Sequence, residues 1–315
     1  MNLETLAVVL DRPEQLSLRS LRLDSPGEAD VVVRTDWSGI STGTERLLWS
    51  GRMPDFPGMG YPLVPGYETV GTVEEAGPAS GRRPGERVFV PGARCFGDTR
   101  GLFGGAAAVL VAPGARTVPV EPGLGERATL LALAATAYHA AWGSGGAAPE
   151  LVVGHGALGR LLARLAAALG DPPPTVWEAD PARRGGADGY AVVDPADDPR
   201  RDYRAVVDCS GDASLLDELV GRTARGGEVA LAGFYTGPVA FSFVPAFLRE
   251  TRLRVAAEWR PDDLAAVARL AGEGRLPLDG IVTHRERPAE AARAYRTAFG
   301  DPACVKMILD WSDAS

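Results

Sequence analysis

A glycine-rich stretch in the middle of the chain, GHGALG, has the spacing of a phosphate-binding turn. The apolar run LVV precedes it and an Ala/Leu-rich helical pattern follows, which is the context that this spacing requires. Gly154 would permit the tight turn, Gly156 would let a pyrophosphate approach the backbone, and Gly159 would let helix and strand pack closely. Ala157 and Leu158 then begin a helix with free N–H groups for the phosphates. We expect a dinucleotide site; a ligand-free glycine turn is the alternative.

A carboxylate, Glu178, closes the next apolar run, TVWE. It can accept hydrogen bonds from both adenosine ribose hydroxyls, and its charge would repel the 2′-phosphate of NADP. We therefore expect NAD, although Arg183 and Arg184 lie nearby and leave NADP open. Ligands bind along the carboxyl edge of parallel sheets, so Ser210 and Gly233, at two further strand ends, are expected on the nicotinamide side.

A second set of reactive side chains lies in the first third of the chain, in GISTGTE and VPGYETVGTVEEAG. Thr42 and Tyr67 supply hydroxyl groups that can form hydrogen bonds, and Glu68 or the later His139 could take up a proton or pass it on. A phenol with a pKa near 10 would need that pKa lowered to act as a base near neutrality. The alternatives are packing for Tyr67, a backbone or arginine contact for Glu68, and a satisfied core histidine for His139.

Two kinds of element must position these residues. Over roughly the first 120 residues, short alternating runs such as LAVVL, DVVVRTDWS and ERVFV are punctuated by Gly and Pro, which predicts a β-rich, barrel-like domain. Farther on, apolar strands alternate with helical patterns, including SLLDELVGRTARG, which predicts a parallel sheet covered on both faces. We place His284 in a loop or an interface.

Composition excludes several classes of protein. The net charge is −8 and the basic residues are scattered, so nucleic acid is not an expected partner. Cys95, Cys209 and Cys304 are far apart and odd in number, which fits a reducing, cytoplasmic setting and no disulfide framework. No signal peptide is evident, and the apolar run LLALAATAYHAAW is too short to span a bilayer.

The motifs GISTGTE, VPGYETVGTVEEAG, GERVFV, TAYHA, GHGALG and VTHRERPAEAARAY occur in this order and resemble the medium-chain dehydrogenase/reductase superfamily. This resemblance implies an α/β chain with a GroES-like β-rich catalytic domain and a Rossmann domain with a doubly wound parallel sheet. It also implies that the last strand returns to the first domain. The expected domains are 1–122 with 284–315, and 123–283. Many members of the superfamily are oligomers, so a homodimer is expected.

The motifs depart from the superfamily at the zinc ligands. Members with a catalytic zinc usually carry Cys in a GICGTD-like stretch and His in GHE. Here Thr42, or Ser41 with a shift, and Tyr67 stand at those positions. A neutral hydroxyl and a neutral phenol are poor zinc ligands, so no metal is expected.

Three longer stretches resemble a narrower family of dehydrogenases that act on the tetrapyrrole bacteriochlorophyllide a. They are WSGISTGTERLLWSGRMPDFPGMGYPLVPGYE, PGARCFGDTRGLFGGAA and TVWEADPARR. The resemblance implies NAD-dependent oxidation of a 3-(1-hydroxyethyl) group to 3-acetyl, a late step in bacteriochlorophyll biosynthesis. An apolar loop, WSGRMPDFPGMGYPLVPG, would suit such a flat substrate or would simply cover the barrel. The alternatives are a zinc-free, NADPH-dependent quinone or enone reductase and a non-catalytic binding protein.

Overall fold

The structure is a computed structural model that describes residues 3–143 and 145–313. Two compact units make up the chain, Met1–Ala132 with Val282–Ser315 and Leu133–Ile281. The domain boundaries expected at 122/123 and 283/284 stay predictions beside this division. No helix of the described residues is long and apolar enough to cross a membrane.

The first part of the chain consists mainly of short strands. The strands are β1 (Glu4–Arg12), β2 (Gln15–Arg22), β3 (Asp30–Ile40), β4 (Leu63–Val64), β5 (Thr69–Ala76), β6 (Arg87–Val90), β7 (Arg100–Gly101), β8 (Val109–Pro113) and β9 (Val118–Pro119). One helix, α1 (Thr44–Ser50), lies between β3 and β4. The apolar side chains of the strands, among them Val31, Val33, Val73 and Leu110, are buried in one core. The alternating runs of the sequence therefore form strands with one face turned to that core.

The middle of the chain alternates strands and helices. They are α2 (Leu131–Trp142), β10 (Leu151–Val153), α3 (Ala157–Leu169), β11 (Thr175–Trp177), β12 (Ala191–Val193), β13 (Tyr203–Asp208), α4 (Leu216–Arg222), β14 (Thr223–Leu231), α5 (Phe243–Arg249), β15 (Arg252–Val255) and α6 (Pro261–Gly272). The six strands form a parallel sheet in the order β12-β11-β10-β13-β14-β15. The carboxyl ends of β10 and β13 are neighbours, which brings the residues that follow them together.

The last part of the chain returns to the first unit as β16 (His284–Glu286), α7 (Ala291–Gly300) and β17 (Met307–Asp310). Strand β17 pairs with β3, with Met307 opposite Ile40. A seven-stranded sheet of the described residues results, in which β16-β17-β3-β5-β6-β9 are in order and β8 also pairs with β3. His284 begins β16 and so does not lie in a loop, while its alternative placement in an interface stays a prediction.

Short segments of 3₁₀ helix connect several of these elements, and the longest of them is interrupted at Gly125. They lie at Gly114–Arg116, Pro122–Leu130, Pro181–Arg183, Pro195–Asp197, Ala213–Leu215 and Pro288–Glu290. One predicted helix is too long, because α4 ends at Arg222 and the TARG of its pattern begins β14. Thr223 is fully buried and pairs with Tyr203 in the sheet. Tertiary pairing overrides the helical pattern there.

Candidate active site and cofactor turn

The GHGALG stretch joins β10 to α3, as its strand–turn–helix context predicted. Gly154 has a φ of +98°, a left-handed conformation that favours glycine. A Cβ on Gly159 would lie 1.9 Å from the carbonyl oxygen of Gly154, so only glycine lets the helix approach this closely. Gly156 directly precedes Ala157 and Leu158, the first residues of the helix. The turn therefore presents unpaired helix N–H groups to an anion.

The carboxylate of Glu178 lies beside this turn. It follows β11 and is buried, with its Oε2 accepting a hydrogen bond from the backbone N–H of His155 at 3.1 Å. Its Oε1 accepts from the N–H of Asp180 at 3.0 Å. Arg184 faces away from the carboxylate and donates instead to the carbonyl oxygens of Glu178 and Ala179. A negative charge is thus held at the end of β11.

Ser210 and Gly233 lie at the carboxyl ends of β13 and β14, at the same edge of the sheet. The backbone nitrogen of Ser210 is 3.7 Å from where a Cβ of Gly154 would be. The neighbouring Asp208 accepts hydrogen bonds from the Ser210 N–H and hydroxyl, at 2.8 and 2.6 Å, and from the Tyr235 hydroxyl. Burial raises the pKa of Asp208. Tyr235 was not predicted, although it lies two residues after Gly233, which was.

Tyr67 lies in the first unit, and its hydroxyl donates a 2.5 Å hydrogen bond to the Ser41 hydroxyl. The Thr44 side chain also hydrogen-bonds this phenol. Burial, and next the charge of Glu68, raise the pKa of Tyr67. The lowered pKa that a tyrosine base requires is therefore absent, and Tyr67 remains a neutral phenol near neutral pH.

The GISTGTE stretch meets Tyr67 through Ser41 and Thr44, on either side of the half-buried Thr42. The placement of Thr42 at the former metal-ligand position was the expectation, with Ser41 as the shifted alternative. The contact to the phenol is made by Ser41. Thr44 was missed by the sequence analysis, although a third hydroxyl in the same short stretch was a usable signal.

Glu68 is completely buried and forms an ion pair with Lys306. The Lys306 ammonium also donates to the Ile40 carbonyl oxygen at 3.2 Å. Burial raises the pKa of Glu68, while the Lys306 charge lowers it. A Cβ on Gly39 would lie 2.0 Å from the Glu68 Oε2, so this glycine makes room for the carboxylate. The partner of Glu68 is thus a lysine that lies far along the chain, and not an arginine.

A second buried carboxylate, Glu45, lies behind Ser41. It accepts hydrogen bonds from the Ser41 N–H at 2.9 Å and from the Tyr295 hydroxyl at 2.6 Å. Burial is the main cause that raises the pKa of Glu45 to about 7. Glu45, Tyr295 and Lys306 were not predicted, because no local spacing links residues so far apart in the chain.

His139 belongs to the second unit. The first unit contains the hydroxyl cluster, which consists of Ser41, Thr42, Thr44 and Tyr67 with the carboxylates Glu45 and Glu68. His139 is buried on α2, and its Nδ1 lies 2.7 Å from the Asp263 Oδ2. A buried histidine with a carboxylate partner is consistent with a core residue whose hydrogen bonds are satisfied, and equally with a residue that transfers protons. Its role in proton transfer stays a prediction, as do the roles of Thr42, Tyr67 and Glu68.

The donors around Tyr67 do not suit a zinc ion. Zinc prefers thiolate, imidazole or free carboxylate ligands. Here the phenol stays neutral, and the Lys306 ammonium already neutralises Glu68. Within residues 3–143 and 145–313, no three His, Cys, Asp or Glu side chains are grouped as metal ligands would be. The absence of a metal from the reaction stays a prediction, and no step below uses one.

Comparison with known proteins supports the predicted fold class. The alcohol dehydrogenase GroES-like domain matches residues 27–122. An alcohol dehydrogenase from Escherichia coli CFT073, in a structure described as a complex with the cofactor NADH, aligns with a TM-score of 0.82 at 18% identity. It covers 98% of this chain and 99% of that one. The GroES-like unit and the Rossmann-type parallel sheet are therefore confirmed.

Two full-length relatives carry the same name, 2-desacetyl-2-hydroxyethyl bacteriochlorophyllide A dehydrogenase. The protein from Rhodobacter capsulatus is 58% identical over 313 residues, which are 99% of this chain and 100% of its own. The protein from Cereibacter sphaeroides is 56% identical over 314 residues, covering 98% of this chain and 99% of its own. The similarity therefore extends over both units, and includes the glycine turn and the hydroxyl cluster.

Proposed function

The chain belongs to the medium-chain dehydrogenase/reductase superfamily of oxidoreductases, and we propose that it oxidises the 3-(1-hydroxyethyl) group of bacteriochlorophyllide a to 3-acetyl with NAD. The observation that carries this proposal is the full-length similarity to two dehydrogenases named for that substrate. The hydroxyl cluster around Tyr67 supports it, because it offers hydrogen-bonding groups to an alcohol without requiring a metal.

A pyridine nucleotide is supported by the fit of the glycine turn to a pyrophosphate. Gly154, Gly156, Ala157, Leu158 and Gly159 would hold its phosphates. Ser210 and Gly233 would face its nicotinamide. When bound, the nicotinamide accepts the hydride that leaves the carbinol carbon.

The choice of NAD over NADP rests on Glu178. Its buried carboxylate is held in place by two backbone hydrogen bonds, from the N–H groups of His155 and Asp180. A ribose 2′-phosphate beside it would meet like-charge repulsion. Arg184 is directed to carbonyl oxygens and to Asp194, so it does not offset that repulsion. The Arg183 Nε lies 3.7 Å from the Glu178 Oε2, and this cation keeps NADP as the alternative.

The alcohol proton leaves through hydroxyl groups in this proposal. The substrate hydroxyl gives its proton to the Tyr67 oxygen while the Tyr67 proton moves to Ser41, so no phenolate forms. The Ser41 hydroxyl in turn gives up its own proton, which Glu68 or His139 passes outward. This direction agrees with the raised pKa of Tyr67 and with its 2.5 Å bond to Ser41. Positioned proton transfer of this kind contributes about 10²–10⁴-fold to rate.

The remaining predicted residues have supporting roles. Thr42 contacts the substrate hydroxyl beside Tyr67, and Glu68, held by Lys306, sets the local charge. Glu68 or His139, which lies beside Asp263, is the proposed group that passes the proton outward. The carbinol carbon is attached to a conjugated ring, which stabilises positive charge as hydride leaves and lessens the need for a Lewis acid.

The apolar loop is the proposed wall for the macrocycle. Met53 is buried in a small core with Leu48 and Leu63, which supports the view that part of the loop covers the barrel. Phe56 and Phe103, however, are only partly buried, and Phe103 meets Phe56 at 6.2 Å and Tyr67 at 5.3 Å edge to face. Aromatic surface thus continues from the loop to the reactive phenol.

A homodimer is proposed from the outer edge of the parallel sheet. Strand β15 is the last strand of that sheet, and its Val255 is 78% exposed. On the adjacent α5, Phe243 and Phe247 stack at 5.6 Å and are 70% and 64% exposed. An open edge strand beside exposed apolar side chains fits a second copy of the same edge. Light scattering should give twice the chain mass for the wild type and the chain mass for Val255→Lys.

The decisive experiment follows the macrocycle absorbance in the presence of NAD or NADP. We expect the 3-acetyl product to form with NAD and at least tenfold more slowly with NADP. Repulsion between Glu178 and the 2′-phosphate should weaken NADP binding by about tenfold. NADPH-dependent reduction of a quinone without oxidation of bacteriochlorophyllide would overturn the proposal. A cytoplasmic location is proposed with it, supported by the three cysteines, which are free.

A further inference from the structure

Arg160, in the first turn of α3, is almost completely buried and uses its guanidinium to hold a loop. Its Nε donates to the carbonyl oxygen of His155 at 3.1 Å. Its Nη1 donates to the Gly186 carbonyl at 3.2 Å, and its Nη2 donates to those of Arg183 and Gly185 at 3.3 and 2.8 Å. One planar group thus binds the backbone of the glycine turn and the backbone of residues 183–186 at once.

His155, inside the glycine turn, fastens the same loop. Its Nδ1 lies 2.8 Å from the Arg183 carbonyl oxygen and its Nε2 lies 2.9 Å from the Tyr190 hydroxyl. A neutral ring with its proton on Nδ1 satisfies both contacts, since Nδ1–H donates to the carbonyl and Nε2 accepts from the phenol. Burial lowers the pKa of His155, which agrees with the neutral ring.

The consequence of these contacts is the position of Arg183. A Cβ on Gly156 would lie 3.1 Å from an Arg183 Nη, so the guanidinium lies over the glycine that lets a pyrophosphate approach. The Arg183 Nε is also 3.7 Å from the Glu178 Oε2. The fixed loop therefore holds a cation between the carboxylate and the turn.

We infer that Arg160 and His155 are positioning residues for the cofactor, because they fix residues 183–186 so that Arg183 faces the pyrophosphate. This inference rests on the proposed dinucleotide cofactor. A loop that is already ordered does not lose conformational freedom when the ligand binds, so its fixation raises affinity. Neither residue needs to contact the cofactor through its side chain.

The test is the dissociation constant of NADH, measured by fluorescence titration of the purified full chain. Arg160→Lys keeps the charge and the stem but replaces the planar fork with one point donor, so it cannot bind four carbonyls. We expect its dissociation constant to rise about tenfold, while the turnover number at saturating NAD changes less than about twofold. An unchanged dissociation constant would overturn the inference.

Arg222→Lys is the matched control. Arg222 is buried to the same degree in the same unit, and it donates to the carbonyls of Asp198, Arg200 and Pro195. It should lose similar thermal stability with no change in NADH affinity. Equal weakening in both variants would mean general loosening of the unit and would also overturn the inference.

Two further variants complete the design. If Arg160→Lys does not fold, Tyr190→Phe removes only the hydroxyl that holds the His155 ring, and NADH binding should weaken about two- to threefold. If Arg160 acts through Arg183, Arg160→Lys should add little once Arg183→Ala is present, and full additivity would contradict that. A wild type that binds no pyridine nucleotide would refute the proposed function itself, whereas normal wild-type binding with an unaffected variant refutes this inference alone.

Discussion

The glycine turn of the second unit and the hydroxyl cluster of the first unit are built from different groups. At the turn, backbone N–H groups and absent side chains make the site, and Gly154, Gly159 and Glu178 lie within one strand–helix–strand segment. In the cluster, buried side chains make the site, and Glu45 and Glu68 take their partners Tyr295 and Lys306 from the end of the chain. A backbone site depends on local shape, while the side-chain cluster depends on charge balance across the whole first unit.

The sharpest test of this difference is to remove a charge partner. Lys306→Met leaves Glu68 buried without its cation, and breaking a buried pair in this way costs about 3–5 kcal/mol. Urea denaturation should show this loss of unfolding free energy. The exposed pair Arg225–Glu250 is the control, and Arg225→Met should change stability little. A small loss from Lys306→Met would mean that charge balance does not hold the cluster together.

A second test uses pH on the same cluster. The folded-state pKa of Glu45 is raised from 4.5 to about 7, so the unfolded chain loses this proton at lower pH than the folded chain does. Stability from Glu45 is therefore fully present below pH 4.5 and is lost as pH rises to about 7, by about 3 kcal/mol at most.

Glu45→Gln cannot titrate, so the stability of the wild type relative to this variant should fall between pH 5 and pH 8. Denaturation at the two pH values measures the change. A constant difference between the two proteins would show that Glu45 has an ordinary pKa.

The third test separates chemistry from cofactor binding. Tyr67→Phe removes the phenol from the hydroxyl chain, and turnover should fall about a hundredfold, equivalent to about 2.7 kcal/mol. NADH affinity should stay unchanged, because the glycine turn lies in the other unit. Tyr203→Phe is the control, since it also removes a buried hydroxyl, which donates to Asp198 at 2.7 Å, and it should keep its turnover. Full activity in Tyr67→Phe would remove the phenol from the mechanism.

The fourth test acts on the backbone site. Gly159→Ala forces a Cβ to 1.9 Å from the Gly154 carbonyl oxygen, and overpacking of this kind costs about 2 kcal/mol. NADH binding should weaken with it, as followed by fluorescence titration. Gly221→Ala on α4 has open space around the new methyl group and should bind NADH normally. Equal binding by both variants would mean that the close approach of helix and strand does not shape the turn.

The same difference explains which features could be predicted from sequence. The strand–turn–helix around Gly156 and the carboxylate Glu178 follow from local spacing, so both were predicted. Tyr67 was predicted from its place in a motif, but the direction of its pKa shift was not, because burial depends on the whole fold. Lys306 could not be predicted as the partner of Glu68, since a single sequence contains no signal for contacts across most of the chain.

Secondary structure shows the same limit on a smaller scale. The alternating runs of the first unit predict strands well because the alternation itself reflects a buried face. The pattern SLLDELVGRTARG predicts one helix, yet Thr223 begins β14 and pairs with Tyr203 of β13. The local preference for helix is outweighed there by pairing with a strand that only the folded sheet provides.

The late position of Tyr295 and Lys306 also has a meaning for synthesis. A ribosome makes Glu45 and Glu68 early, and Glu45 then lacks the Tyr295 hydroxyl and Glu68 the Lys306 ammonium until those late residues have been made. A product that stops before residue 295 contains Thr42, Tyr67 and Glu68 but neither the Tyr295 hydroxyl nor the Lys306 ammonium. The two buried carboxylates can therefore complete these pairings only after residue 306 has been made.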